Sequence, residues 1–141
     1  MMACGHAPVA GESHKVQLAV IPAESDVFPK AAQAVSASLA AAKVSGIDQT
    51  QVSKVSLEVV QLSVECVDPT STCYEAIGRS RSVNRLLFAR ITGGARTRQL
   101  KIVVTLFDVD GKAAMRTAEK VFATEGDATA GAAALVAEVT R

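Results

Sequence analysis

Two cysteines seven positions apart, with a proline between them, constrain this chain more than any other feature. On one unbroken helix Cys66 and Cys73 would stand about 10 Å apart, at ~1.5 Å of rise per residue. A disulfide needs Cα atoms within about 7 Å. Pro69 interrupts a helix, so the pattern predicts one helix ending at Pro69 and a second, short one from about Thr70 to Ser82. The chain can then fold back and bring the sulfurs together, and a bridge over so short a loop adds about 2–3 kcal/mol. The alternative is a pair of buried thiols in a cytosolic protein. Beyond Ser82 the chain enters an apolar run, Leu86 to Ile91, that reads as a buried strand.

The third cysteine lies in Met1-Met2-Ala3-Cys4-Gly5. An apolar pair, a small residue, Cys and Gly match the end of a bacterial lipoprotein signal whose upstream part is missing from this sequence. On this reading Cys4 carries lipid, and Cys66 and Cys73 pair in an oxidising periplasm. The competing reading is an ordinary start with an incidental cysteine. Residues 1–14 then form a lipobox-like start and flexible tether, and residues 15–141 a single α/β domain. His6, His14 and Cys4 sit in that tether, where loose histidines are usually solvated, so no metal is expected.

The domain opens with an alternating β-branched run. Val16, Leu18 and Val20 share one face, and Ala19 and Ile21 the other. With both faces apolar, this is an interior strand covered on two sides. Pro22 ends it, Ser25 or Asp26 offers a helix cap, and Pro29 suits a first turn. The following helix runs to about Val44, with Val27, Ala31, Val35, Leu39 and Ala42 as its apolar stripe and Gly46 beyond its end. From Gln51 to Cys66 two patterns compete. Val52, Val55, Val59, Leu62 and Cys66 fall at helical spacing, yet the run also alternates as a strand would. Its length and a cap at Asp48 or Thr50 favour a helix with that stripe buried. Tyr74, Ile77 and Gly78 form the inner face of the next helix. Leu86–Ile91, Leu100–Phe107 and about Ala113–Ala123 are three further strands, joined by turns at Thr92-Gly-Gly-Ala95 and Asp108-Val-Asp-Gly111 into a meander. Asp-x-Asp-Gly lacks the other ligands of a calcium loop and reads as a turn. A closing helix spans Ala128 to about Thr140, burying Ala132, Leu135, Val136 and Val139.

The chemistry is sparse. Both histidines fall in the tether, which leaves the domain without an imidazole for a triad or general base. No Cys-x-x-Cys, His-x-x-x-His or glycine-rich phosphate loop occurs, and Glu24 and Asp26 in the loop after the first strand repel anions. An enzyme is not expected, and neither is a cofactor. With a net charge of +1 and no Trp, nothing indicates nucleic acid. One charge pattern is uneven. No acid occurs from Ala76 to Phe107, where Arg79, Arg81, Arg85, Arg90, Arg96, Arg98 and Lys101 fall. Arg79, Arg81, Arg85, Arg96, Arg98 and Lys101 are candidates for one basic, partner-binding end, with Arg96 and Arg98 near the turn at its centre. The plainer reading is a set of arginines that keep a sheet edge soluble.

Three runs resemble the amino-terminal domain family of TolB, with its CsgG-like and LpoB-like relatives. Lys15-Val-Gln-Leu-Ala-Val-Ile-Pro22 is similar to that family's opening strand, "Val-Ala-Val-Leu-Pro". Gly78-Arg-Ser-Arg-Ser-Val-Asn-Arg-Leu-Leu-Phe-Ala-Arg-Ile91 resembles its helix-to-strand passage, and Leu100 to Lys112 its hairpin. The chain departs from the pattern at Asn84, where Asp is usual. The elements read above add up to a single-layer mixed sheet, one parallel amino-terminal strand plus a three-strand antiparallel meander, with helices packed on it, which fits the resemblance. The resemblance implies a non-catalytic, periplasmic domain that contacts other envelope proteins; with the lipobox-like start, the expectation is a domain held to a membrane, the outer one, through lipid on Cys4. The alternative is a small-ligand-sensing periplasmic domain with a pocket at the end of the first strand.

Overall fold

The computed structural model describes residues 15–141; the tether with Cys4, His6 and His14 lies outside them. In chain order the elements are β1 (Gln17–Ile21), α1 (Pro29–Ala41), β2 (Gln49–Val52), α2 (Leu57–Ser63), α3 (Ser71–Ser80), β3 (Arg85–Gly93), β4 (Leu100–Asp108), β5 (Ala113–Phe122) and α4 (Glu125–Thr140). The strands form one sheet in the order β2-β1-β3-β4-β5. β1 runs parallel to both β2 and β3, while β3, β4 and β5 form the antiparallel meander. The expected mixed-sheet α/β class is therefore the observed one, with an additional parallel strand, β2.

Alternation on the interior strands divides the core in two. Leu18 and Val20 of β1, Leu87 and Ala89 of β3, and Leu100 to Leu106 of β4 in alternation face α1 and α4. Ala19, Ile21, Leu86, Phe88 and Phe107 face the shorter helices, α2 and α3. On that second face the ring of Tyr74 sits 4.5 Å from that of Phe88 and 5.6 Å from that of Phe107, measured between centroids. Gly78 lets α3 settle on the turn after β4. A Cβ there would meet the methyl groups of buried Val109, with Cγ1 at 2.8 Å. Gly78→Ala is expected to cost about 1–3 kcal/mol through overpacking, read as a fall in the urea midpoint.

Two expectations about the segment before Thr70 are overturned. The stretch from Gln51 to Cys66 is not one helix. Residues Gln49–Val52 join the sheet edge, and the helix is only Leu57–Ser63, capped by Ser56, whose Oγ accepts from the Val59 N–H. Leu57, Val60 and Gln61 are its buried residues, and most of the expected stripe points outward: Val52, Val55, Val59 and Leu62 are all exposed, Leu62 at 67%, while Cys66 is half-buried. The free side of β1 recruits Gln51 and Val52, with Gln49 and Thr50 before them, as a strand, and the helix starts later and turned by about a residue. Nor does Pro69 end that helix. Glu65 adopts φ 60°, and the Cys66 N–H donates back to the Gln61 carbonyl at 3.0 Å, a left-handed helix stop.

The first long helix also starts differently. Ser25 Oγ accepts from the Phe28 N–H at 2.9 Å, but neither Ser25 nor Asp26 caps α1. Glu125 does so from 95 residues away, its Oε2 accepting from the N–H groups of Lys30 at 2.7 Å and Ala31 at 3.1 Å. A carboxylate there satisfies orphan donors and complements the helix dipole. Val27, expected in the apolar stripe, precedes the helix and is 74% exposed.

Candidate interaction surfaces

The corner between α2 and α3 is covalently closed. Cys66 and Cys73 form a disulfide with Cα atoms 5.6 Å apart. The left-handed turn at Glu65 takes Cys66 out of the helix, and Thr70 caps α3 by accepting from the Cys73 N–H at 3.2 Å, which sets Cys73 in its first turn. Buried Gln61 ties this corner to the sheet. Its Nε2 donates to the Val67 carbonyl at 3.4 Å and to Cys73 Sγ at 3.6 Å, and its Oε1 accepts from Arg90 Nη1 at 3.4 Å. Arg90 also lies by the Tyr74 hydroxyl. Burial pushes the Tyr74 pKa up, and the positive charge of Arg90 and its hydrogen bond offset part of that rise.

The six candidate basic residues do not gather at one end. Arg79, Arg81 and Arg85 lie where α3 hands over to β3, and Arg96 and Arg98 lie past the far end of that strand, eight steps or ~26 Å away at ~3.3 Å per residue. The first group is partly neutralised. Arg79 Nε meets Glu75 Oε2 at 2.9 Å and Arg85 Nη1 meets Asp108 Oδ1 at 2.9 Å. Lys101, on β4, stands 4.0 Å from Glu119. Arg96 and Arg98 are exposed, and among the described residues neither forms an ion pair. The cluster was contiguous in sequence, but a strand carries its two ends apart.

Asn84 acquires a physical reason. Its Oδ1 accepts from the Gln17 N–H at 2.9 Å, and its Nδ2 donates to Asp110 Oδ2 at 3.1 Å. An amide both accepts and donates. A carboxylate at this position would face that of Asp110. This one side chain joins the starts of β1 and β3 to the β4–β5 turn.

A crevice of about 430 Å³ opens at the end of β1, lined by Ala23, Glu24, Ser25, Asp26, Gln33 and Ser36 among others. Glu24 and Asp26 make its rim acidic, and Glu24 Oε1 accepts from Ser56 Oγ at 3.0 Å. Among the described residues no group of three His, Cys, Asp or Glu could hold a metal ion, and no helix is long and apolar enough to cross a membrane.

Fold and surfaces together define an α/β domain whose five-stranded mixed sheet carries two long helices on one face and a disulfide-closed helical corner on the other. No family model matches the chain, and no curated protein matches it. Among solved structures it is similar to PelC from Paraburkholderia phytofirmans, solved as a dodecamer, at 14% identity and a TM-score of 0.50 over 90% of each chain. It is also similar to the LpoB C-terminal domain from Salmonella enterica, at 13% identity and a TM-score of 0.48 over 76% of this chain and 82% of that one. The LpoB C-terminal domain from Escherichia coli follows at 11% and 0.42, over 82% and 93%. At these identities the likeness is one of fold, and it does not single out the TolB-like family.

Proposed function

We propose that this chain is the non-catalytic interaction domain of a lipid-anchored protein of the bacterial periplasm, with Cys4 as the acylated residue and other envelope proteins as partners. The observation that carries the compartment is the Cys66–Cys73 bridge, because such bonds persist in oxidising surroundings. The resemblance of the opening strand and the meander to envelope-lipoprotein domains points the same way. Within the basic set, the partner surface is the β3–β4 turn, with Arg96 and Arg98 as its charged contacts and an acidic patch as the surface they meet. Arg79, Arg81 and Arg85 are at the other end of β3 and serve it less well; Lys101, opposite Thr92, lies at the hairpin end.

Two measurements test this reading. Intact mass of the protein from its native host, with and without reductant, should show an acylated Cys4 and a gain of two hydrogen atoms on reduction. Freely alkylated Cys66 and Cys73 in gently prepared native protein contradict the periplasmic placement. A photo-crosslinker placed at Thr97 should join the domain to an envelope protein in intact cells, and the double variant Arg96→Glu, Arg98→Glu should lower that yield about tenfold or more. An unchanged yield removes the hairpin from the proposal.

A further inference from the structure

Strand β2 is one margin of the sheet, and among the described residues its outer side pairs with no strand. In a parallel ladder the N–H and C=O of alternate residues face the same neighbour. The N–H groups of Gln49 and Ser53 donate to the carbonyls of Val16 and Val20 on the β1 side, at 3.3 and 2.8 Å. The alternation therefore turns the backbone groups of Thr50 and Val52 outward. All four strand residues are exposed. None is charged or a proline, so only shortness protects this edge from pairing.

The segment is also complementary to itself. Setting Ile47-Asp-Gln-Thr-Gln-Val-Ser-Lys-Val55 antiparallel to a second copy, with Gln51 opposite Gln51, places Thr50 opposite Val52, Gln49 opposite Ser53, Asp48 opposite Lys54 and Ile47 opposite Val55. In this register the outward-facing residues, Thr50 and Val52, meet as hydrogen-bonded pairs. Opposite charges flank them at each end, and an apolar pair lies beyond each charge. A slip of one residue would set outward-facing backbone groups against inward-facing ones and bring neither acid to its base. A two-fold axis repeats every one of these contacts.

We propose that β2 is a homodimerisation edge at which a second copy of this chain adds antiparallel, giving a continuous ten-stranded sheet. The axis stands perpendicular to the sheet and keeps α2 of both copies on the same face. Val55, Val59 and Leu62, exposed at 40%, 44% and 67%, provide apolar surface in and just after the paired segment. This dimer edge is independent of the envelope role and of the basic turn.

Gln51→Cys in a Cys4→Ser background decides the register. A non-hydrogen-bonded antiparallel pair has Cα atoms about 4.5 Å apart, within the range of a disulfide. The variant should oxidise to a covalent dimer that reductant returns to single chains. Sedimentation of the full chain over a concentration series should reach twice its 14.6 kDa mass. Asp48→Lys and Lys54→Asp, each alone, should weaken self-association about tenfold, since like charges then face each other twice. Mixed in equal amounts, the two should form a heterodimer in which both pairs are restored. Asp48 also accepts from the Val16 N–H at 2.7 Å, so if Asp48→Lys fails to fold, the Gln51→Cys crosslink and Lys54→Asp alone decide. A chain that stays single over the whole series, or a Gln51→Cys variant that does not crosslink, overturns the proposal.

Discussion

Phe88→Ala is expected to lower the stability of this domain by about 3–5 kcal/mol, the usual cost of emptying a buried aromatic site. Phe88 is 1% exposed and sits on β3, the strand that β1 flanks on one side and β4 on the other. The lost surface is that of a whole ring, and the cavity borders the rings of Tyr74 and, through it, Phe107. Neighbours on two interior strands cannot close in without disturbing both ladders, so little of the space would be refilled. A small domain holds only about 5–15 kcal/mol in all. The variant should therefore unfold at a much lower urea concentration, or be partly unfolded without any. Phe88→Leu, which refills much of the volume, should cost clearly less. A Phe88→Ala midpoint close to that of the parent would mean that α2 and α3 do not cover this face of the sheet.

Removing the Cys66–Cys73 bridge comes next in size. With the loop this short, chain entropy alone assigns about 2–3 kcal/mol to the crosslink. The effect should be local first. α2 has only seven residues, below the length at which a helix holds by itself, and its carboxyl end is fastened to α3 by the bridge and by Gln61. In the double variant Cys66→Ala, Cys73→Ala, hydrogen exchange should quicken at the amides of Leu57 to Ser63 by more than the global loss explains. Amides of β3 and β4 should follow the global loss alone. Urea midpoints that do not change on reduction would show that the corner is held by packing and not by the sulfurs.

Much of the fold was legible because much of it is local. The two-faced apolar alternation of Val16 to Ile21 could suit only an interior strand, and residues Leu18 to Ile21 are all buried. The meander followed from three alternating runs separated by glycine and aspartate turns. In α4 the core positions Ala132, Leu135, Val136 and Val139 follow from helical spacing. The inner face of α3 followed likewise from Tyr74, Ile77 and Gly78.

Elsewhere the deciding contacts come from residues far away along the chain, and no local pattern reports them. Val52, Val55, Val59 and Leu62 have helical spacing, but β1 had a vacant side, and ladder hydrogen bonds to Val16 and Val20 drew the start of that stretch into the sheet. Glu125 caps a helix 95 residues before it. The basic residues from Arg79 to Lys101 share a short stretch of sequence, yet β3 separates them, because a strand advances ~3.3 Å with every residue. Side-chain period and turn chemistry, both short-range, thus determined which segments are strands and helices and which of their faces are apolar. The edge strand, the remote helix cap and the division of the charges were decided by tertiary structure, because pairing and proximity depend on partners that sequence order does not place side by side.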